Sequence, residues 1–207
     1  GRGDEYAAEK LLRETVMLDP NDGTAWYRLA QVTRDLRGER ACAAICDEWL
    51  MNHPGNPVAA HLNAAMCPDA SWTRATDDYV RVTFDEMAPD YERVMEALSY
   101  CGPMLIEAGL SRTLGEPTRI HRVLDGGCGT GLCAPQIREW AASLHGVDLS
   151  SQMLVVAGEG GLYDELHCRE LVQYLRSSAE DYDAIVMADV LVYLGAPQEV
   201  LSAAYQA

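Results

Sequence analysis

The sequence predicts a two-part chain: an all-helical segment followed by an α/β segment built on a doubly wound, mostly parallel sheet. Three observations carry this expectation. Short β-rich runs alternate with helical stretches after about residue 119, the second half holds a strand running into four closely spaced glycines, and Pro20 and Pro54 stand 34 residues apart in similar turns. At 207 residues and 48% hydrophobic, the chain can fill two modest cores, since a domain commonly takes about 150 residues.

The two turns are Asp19-Pro20-Asn21-Asp22 and His53-Pro54-Gly55-Asn56. Their spacing resembles the tetratricopeptide period. On that resemblance Trp26, Leu29 and Ala30 take the aromatic, leucine and small positions of a first helix. Cys42 and Cys46 take the apolar positions of the second, and Ala8, Leu12 and Pro20 hold the matching places one repeat earlier. The likeness spans residues 4–66, with one complete repeat and two halves, and implies either a concave surface for a peptide or protein partner or a packing appendage. Residues 1–66 are assigned to this segment and 67–77 to a linker, because Cys67-Pro68-Asp69-Ala70-Ser71 breaks the helical pattern.

The formal charge of -16, from 32 acidic against 16 basic residues, repels phosphate backbones and speaks against a nucleic-acid partner. A cationic ligand or a neutral small molecule is easier to hold. No run of about 18 apolar residues occurs, so a soluble, cytoplasmic chain with no membrane association is expected. Seven cysteines form no CxxC pair and read as reduced, mostly buried thiols. His53, His61, His121, His145 and His167 show no ligand spacing along the sequence, and no residue is assigned to a metal. The chain begins without methionine and its last residues, Leu201 to Ala207, read as the middle of a helix, so a fragment is expected.

From residue 78 to 108 the apolar residues Val80, Phe84, Met87, Tyr91, Val94, Met95 and Leu98 recur at helical spacing, with Pro89 near a helix start. The sheet region is placed at 119–207. Its expected elements are strands at 120–124, 144–148, 166–168 and 182–187, with helices at 132–142 and 150–157, the latter capped by Ser150.

The segment Val123-Leu124-Asp125-Gly126-Gly127-Cys128-Gly129-Thr130-Gly131 joins a strand to a helix through glycines. They allow a tight turn and close backbone approach, and free N–H groups at a helix start favour a carboxylate or phosphate. Two cofactors compete for such a turn. Gly129-Thr130-Gly131-Leu132-Cys133-Ala134 fits the GxGxxA pattern of a dinucleotide site, with Asp148 at the distance of a ribose-binding acid. An acid followed by GxGxG through Gly127, Gly129 and Gly131 instead resembles the first motif of class I S-adenosylmethionine-dependent methyltransferases.

That resemblance extends over residues 78–207 and reaches a group of predicted methyltransferases with tetratricopeptide repeats upstream. It implies S-adenosylmethionine as cofactor, with Asp125, Gly126, Gly127, Cys128, Gly129 and Gly131 around the methionine moiety. Asp148, followed by Leu149, would accept from the ribose hydroxyls, and Met153 would line the adenine side. Glu170 would meet the adenine amino group, with the Leu171 backbone against the ring. Asp189 and Tyr193, after the fourth strand, would form the cofactor or acceptor wall, and Tyr91 belongs to lid helices over residues 78–108. Gly126 departs from the family's apolar residue, which is expected to loosen the loop. The family's fifth strand and final antiparallel pair are not expected within these 207 residues. The implied reaction is methyl transfer to an unidentified small molecule or protein or peptide side chain. No general base is assigned; Asp189 and Tyr193 stand nearest. A non-catalytic repeat-bearing binding protein and an NAD-dependent oxidoreductase remain as alternatives.

Overall fold

The computed structural model describes residues 2–66, 74–178 and 181–207. It divides near residue 72 into two compact units, each considered by itself. Most of the expected linker, residues 67–73, lies outside the described residues.

The first unit contains four helices: α1 (Arg2–Leu18), α2 (Gly23–Arg37), α3 (Glu39–Asn52) and α4 (Pro57–Met66). Polar caps start two of them. Asp22 accepts a hydrogen bond from the Ala25 N–H at 2.8 Å, and Asn56, 34 positions later, accepts from Val58 and Ala59 at 3.0 Å. Each cap satisfies amide groups that the first helical turn leaves unpaired. The core forms around Trp26 and Trp49, whose rings stack 6.3 Å apart. Leu29, Ala30, Cys42, Cys46 and Ala59 are buried with them, so the cysteines fill space, and burial pushes the Cys42 thiol pKa up.

One buried charge belongs to this unit. Glu9 accepts from Arg37 through both carboxylate oxygens, at 3.0 and 2.8 Å, and the hydrogen bond to Arg37 holds its pKa below the ordinary glutamate value. Because that value is depressed in the folded chain, the stabilisation is present above the ordinary glutamate pKa and lost as pH falls through the folded one.

The second unit opens with α5 (Asp77–Met87), capped by Thr76, then a 3-10 turn over Ala88–Asp90, α6 (Tyr91–Ala97) and α7 (Gly102–Leu114). Helix extends six residues beyond the expected limit at 108, and Gly115 closes it. The sheet follows as β1 (His121–Gly126), α8 (Ala134–Arg138), β2 (Ala141–Asp148), α9 (Ser151–Glu159), β3 (Glu165–Cys168), α10 (Leu171–Ser177), β4 (Ala184–Val186), α11 (Leu191–Leu194) and α12 (Gln198–Gln206). All pairings are parallel and the strand order is β3-β2-β1-β4.

Alternate residues of the strands feed two cores. Val123 and Leu144 join Leu110 and Ile137 from α7 and α8, while Leu124 and Val147 join Leu171, Leu175 and Val200 from α10 and α12. Helices therefore cover both sheet faces, as a parallel sheet requires.

Two expected boundaries are corrected. The helix at 132–142 is only α8, because Ala141 pairs with His121 and begins β2, and Trp140 turns inward to donate from its indole N–H to the Gly115 carbonyl at 2.9 Å. Pairing to a neighbouring strand outweighs the local helical pattern. The fourth strand shortens to Ala184–Val186, and at its start the Tyr182 N–H donates to the Ala207 carbonyl rather than to β1.

Replacing Glu9 with Gln is expected to flatten the loss of stability of the helical unit below the ordinary glutamate pKa, measured by urea denaturation across an acidic pH series. Leu124→Ala, at a fully buried position, is expected to cost about 2–5 kcal/mol in the same denaturation at neutral pH.

Candidate cofactor site

The strand order changes direction between β1 and β4, both of which carry their C-terminal ends to one edge of the sheet. A parallel sheet binds ligands in the crevice at such a switch point. Here the edge is built by the loop after β1, the end of β2 and the start of α10.

The loop after β1 is held from within. Gly127 and Cys128 donate their N–H groups to the Val147 carbonyl at 2.7 and 3.0 Å, and Gly131 donates to Cys128. The Gly129 N–H donates to Asp148 Oδ2 at 2.9 Å, and Ser150 N–H to Asp148 Oδ1 at 2.8 Å. This corrects the expectation of free N–H groups awaiting an anion: four of the loop's amides already have partners in the chain. A pyrophosphate needs such donors, so this loop is poorly made for a dinucleotide.

Gly127 adopts a φ of 75°, and a Cβ there would lie 2.2 Å from a methyl of Val190. Both backbone conformation and space therefore demand glycine. At Gly126 the expected looseness is absent. Leu171 fills the position, with its Cδ1 2.9 Å from where a Cβ would stand.

Asp148 lies at the end of β2, and burial pushes its pKa up while the amides of Ser150, Gly129 and Leu149 pull it down. The carboxylate has about four acceptor positions, and the amides of Gly129 and Ser150 take one on each oxygen. Acceptor capacity remains for a ligand hydroxyl in the cavity that Asp148 lines.

Around this carboxylate opens a cavity of ≈ 390 Å³, within the range of small-molecule sites. Of the residues picked out from sequence, Tyr91, Gly127, Gly129, Asp148, Leu149, Met153, Glu170, Leu171, Asp189 and Tyr193 line it. Asp125 and Cys128 line a small adjoining recess that shares Tyr91, Gly127 and Gly129. Gly126 and Gly131 line neither. Glu170 borders the cavity while capping α10, its Oε2 accepting from the Gln173 N–H at 2.7 Å.

Asp125 is fully buried, and its Oδ2 accepts from the Tyr163 hydroxyl at 2.7 Å. Burial raises its pKa to about 6, although the Tyr163 hydrogen bond works the other way. Tyr163 is a site residue that no sequence motif marks. It follows α9 and reaches back across the sheet, and burial keeps its hydroxyl protonated. Burial also pushes the Cys133 thiol up to about 12 and the Cys128 thiol well above its ordinary value. Neither supplies a thiolate near neutral pH.

Aromatic groups form the wall contributed by the helices. Phe84 on α5 meets Tyr91 and Tyr193 edge to face, with centroids 6.2 and 5.4 Å away. Asp85, beside Phe84, ties α5 to α9 by accepting from Ser150 Oγ at 2.6 Å and from the Gln152 N–H at 3.1 Å. Asp189 holds a left-handed φ of 55°, a conformation uncommon outside glycine and often found at functional positions. Tyr100 hydrogen-bonds Asp189, and burial followed by this bond raises the tyrosine's pKa. Sequence reasoning missed Tyr100, since Ser99, with a φ of 54°, takes it out of helical register.

Asp125→Asn is expected to remove a decline in stability between about pH 4 and pH 6. The native carboxyl retains its proton up to about 6, whereas an unfolded aspartate releases it near 4, so raising the pH through this window favours unfolding. Chemical denaturation of both proteins across those pH values checks this. Gly127→Ala is expected to disrupt the loop, read as a lowered melting temperature in calorimetry.

Comparison with known proteins agrees with this geometry. Residues 124–207 match the family model described as a methyltransferase domain. Methyltransferase-like protein 27 of Homo sapiens is 37% identical over 110 residues, covering 52% of this chain and 45% of that protein. The chain thus spans less than half the length of this curated relative. Together with the parallel α/β sheet, these findings make part of the second unit similar to a methyltransferase domain.

Proposed function

We propose that the chain binds S-adenosylmethionine and transfers its methyl group to a small molecule or a protein or peptide side chain. The observation that carries this reading is Asp148, at the end of β2, bonded to the glycine loop through the Gly129 amide and lining the cavity in front of it. The residues fit this cofactor on two further grounds. The loop amides are already bonded, which suits a group without phosphates, and the buried Thr130 hydroxyl has no partner in the chain, leaving a donor beside the loop for a carboxylate.

On this reading Asp148 takes the ribose hydroxyls, and Leu149, Met153, Glu170 and Leu171 form the adenine end. Gly127, Gly129 and the Asp125 recess face the methionine end, and Tyr91 closes the wall above it. The cofactor supplies an electrophilic sulfonium methyl group. The chain's contribution is alignment of the acceptor against the strand ends, and positioning of this kind can lower a barrier by about 7–11 kcal/mol. A hydroxyl or ammonium acceptor needs a proton acceptor; Asp189, oriented by Tyr100 and next to Tyr193, is placed for that task.

The helical unit is proposed as a tetratricopeptide-like array that binds a peptide or protein partner. Its support is the 34-residue recurrence of the Asp22 and Asn56 caps and of buried Ala25 and Ala59. The acidic balance of the chain favours ligands other than nucleic acid. Among the described residues no helix is long and apolar enough to cross a membrane. A cytoplasmic location is part of the proposal, resting on the described cysteines being thiols rather than disulfides.

Calorimetric titration with S-adenosylhomocysteine is expected to show saturable binding, weakened about 10- to 100-fold or more in Asp148→Ala. Hydrogen bonds to a charged group contribute about 1.5–3 kcal/mol each, and about 1.4 kcal/mol is tenfold in affinity. A parallel titration with NAD is expected to show no binding. Unchanged affinity in the folded variant, or saturable NAD binding, would contradict the proposal.

A further inference from the structure

Away from the cavity, the parallel register of β2 and β3 gathers three potential ligands that stand far apart in sequence. His145 pairs with Glu165, and Val147 with His167. Residues two apart on a strand share a face, so His145, Glu165 and His167 project from the same side of the sheet. Each offers one ligand atom, and the three atoms lie within 4.8 Å of one another. None of the three borders the cavity described above.

The surroundings prepare these groups unequally. His145 is buried, and its Nδ1 lies 3.0 Å from the Tyr182 hydroxyl, which in turn lies 2.7 Å from the Tyr174 hydroxyl. A proton on Nδ1, donated to Tyr182, leaves the Nε2 lone pair to bind a cation, the arrangement by which outer partners orient a metal-bound histidine. Nε2 now meets only the Ser143 hydroxyl, at 3.0 Å, a neutral group that can turn away. His167 Nε2 is buried, 3.1 Å from Glu165 Oε2 but outside hydrogen-bond geometry, so the two potential ligands already face one another. Glu165 is exposed and supplies a negative charge at the solvent side of the group.

We propose that His145, His167 and Glu165 form a binding site for a divalent transition-metal ion, with Zn²⁺ as the best match. Two imidazoles and one carboxylate are a known zinc ligand set, with bonds of about 2.0–2.2 Å and ligand atoms some 3.4 Å apart in a tetrahedron. Side-chain rotations that draw the atoms together by about an ångström suffice. Water from the Glu165 side completes the coordination. Calcium and magnesium are disfavoured because imidazole nitrogens outnumber the oxygen ligand. The site would act as a clamp between two strands. His145 stands three residues before Asp148 on β2, and His167 three residues before Glu170, so an ion bound here would hold the register of both strands that deliver acids to the cavity.

The test is calorimetric titration of the metal-free full chain with ZnCl₂ under reducing conditions, with thermal unfolding followed with and without the metal. One Zn²⁺ per chain and a raised melting temperature are expected. Glu165→Gln, on an exposed side chain, and His167→Gln should each weaken binding at least tenfold, and Tyr182→Phe about 10- to 100-fold through the outer partner of His145. A Cys101→Ser, Cys168→Ser double variant, lacking the thiols exposed among the described residues, should bind as the parent does. The proposal is overturned if the parent takes up no zinc, if Glu165→Gln binds with undiminished affinity, or if the cysteine variant loses the ion.

Discussion

The Asp148 carboxylate fixes two pieces of backbone at once. Its Oδ2 holds the Gly129 amide of the loop after β1, and its Oδ1 holds the Ser150 amide at the start of α9. Ser150 in turn caps α9 through Met153 and anchors Asp85 of the helical wall. The glycine loop, the second crossover helix and α5 are thereby referred to a single side chain at the end of β2. That position also explains why the carboxylate tolerates burial. Amide donors stabilise the charged form, while the acceptors that remain face the cavity.

The chemistry around this anchor is acidic and short of nucleophiles. Asp125, Asp148, Glu170 and Asp189 surround the cavity and its recess, and the two nearby cysteines remain thiols because burial disfavours their charged form. Such a site suits a ligand bearing hydroxyls and positive charge. The proposed methyl transfer would use these carboxylates to bind and orient, with the reactive group arriving on the cofactor.

Glycine and tyrosine cooperate in shaping the space. Gly127 lets Val190 approach the loop, and Gly126 makes room for Leu171. Tyr163 donates to Asp125, and Tyr91 and Tyr193 meet Phe84 along the cavity wall. Aromatic rings offer large apolar area with a polar edge, so this wall can exclude water while leaving hydroxyls near Asp189.

The sequence alone determined the parallel α/β layout, the glycine loop, the Ser150 cap and the acid at the end of β2. Each depends on local chemistry: alternating apolar runs, a turn that only glycine permits, and a short polar side chain before a helix. Ten of the site residues that the sequence singled out line the cavity, several of them at or just after strand ends. Tertiary structure decided the rest. It ended α8 early, since Ala141 found a partner in His121, and it bonded the loop amides internally instead of leaving them for an anion. It brought Tyr163 to Asp125 across 38 residues and set His145 beside Glu165 and His167 through strand register. These contacts join groups distant in the chain, and their energies come from burial and pairing that no local pattern encodes.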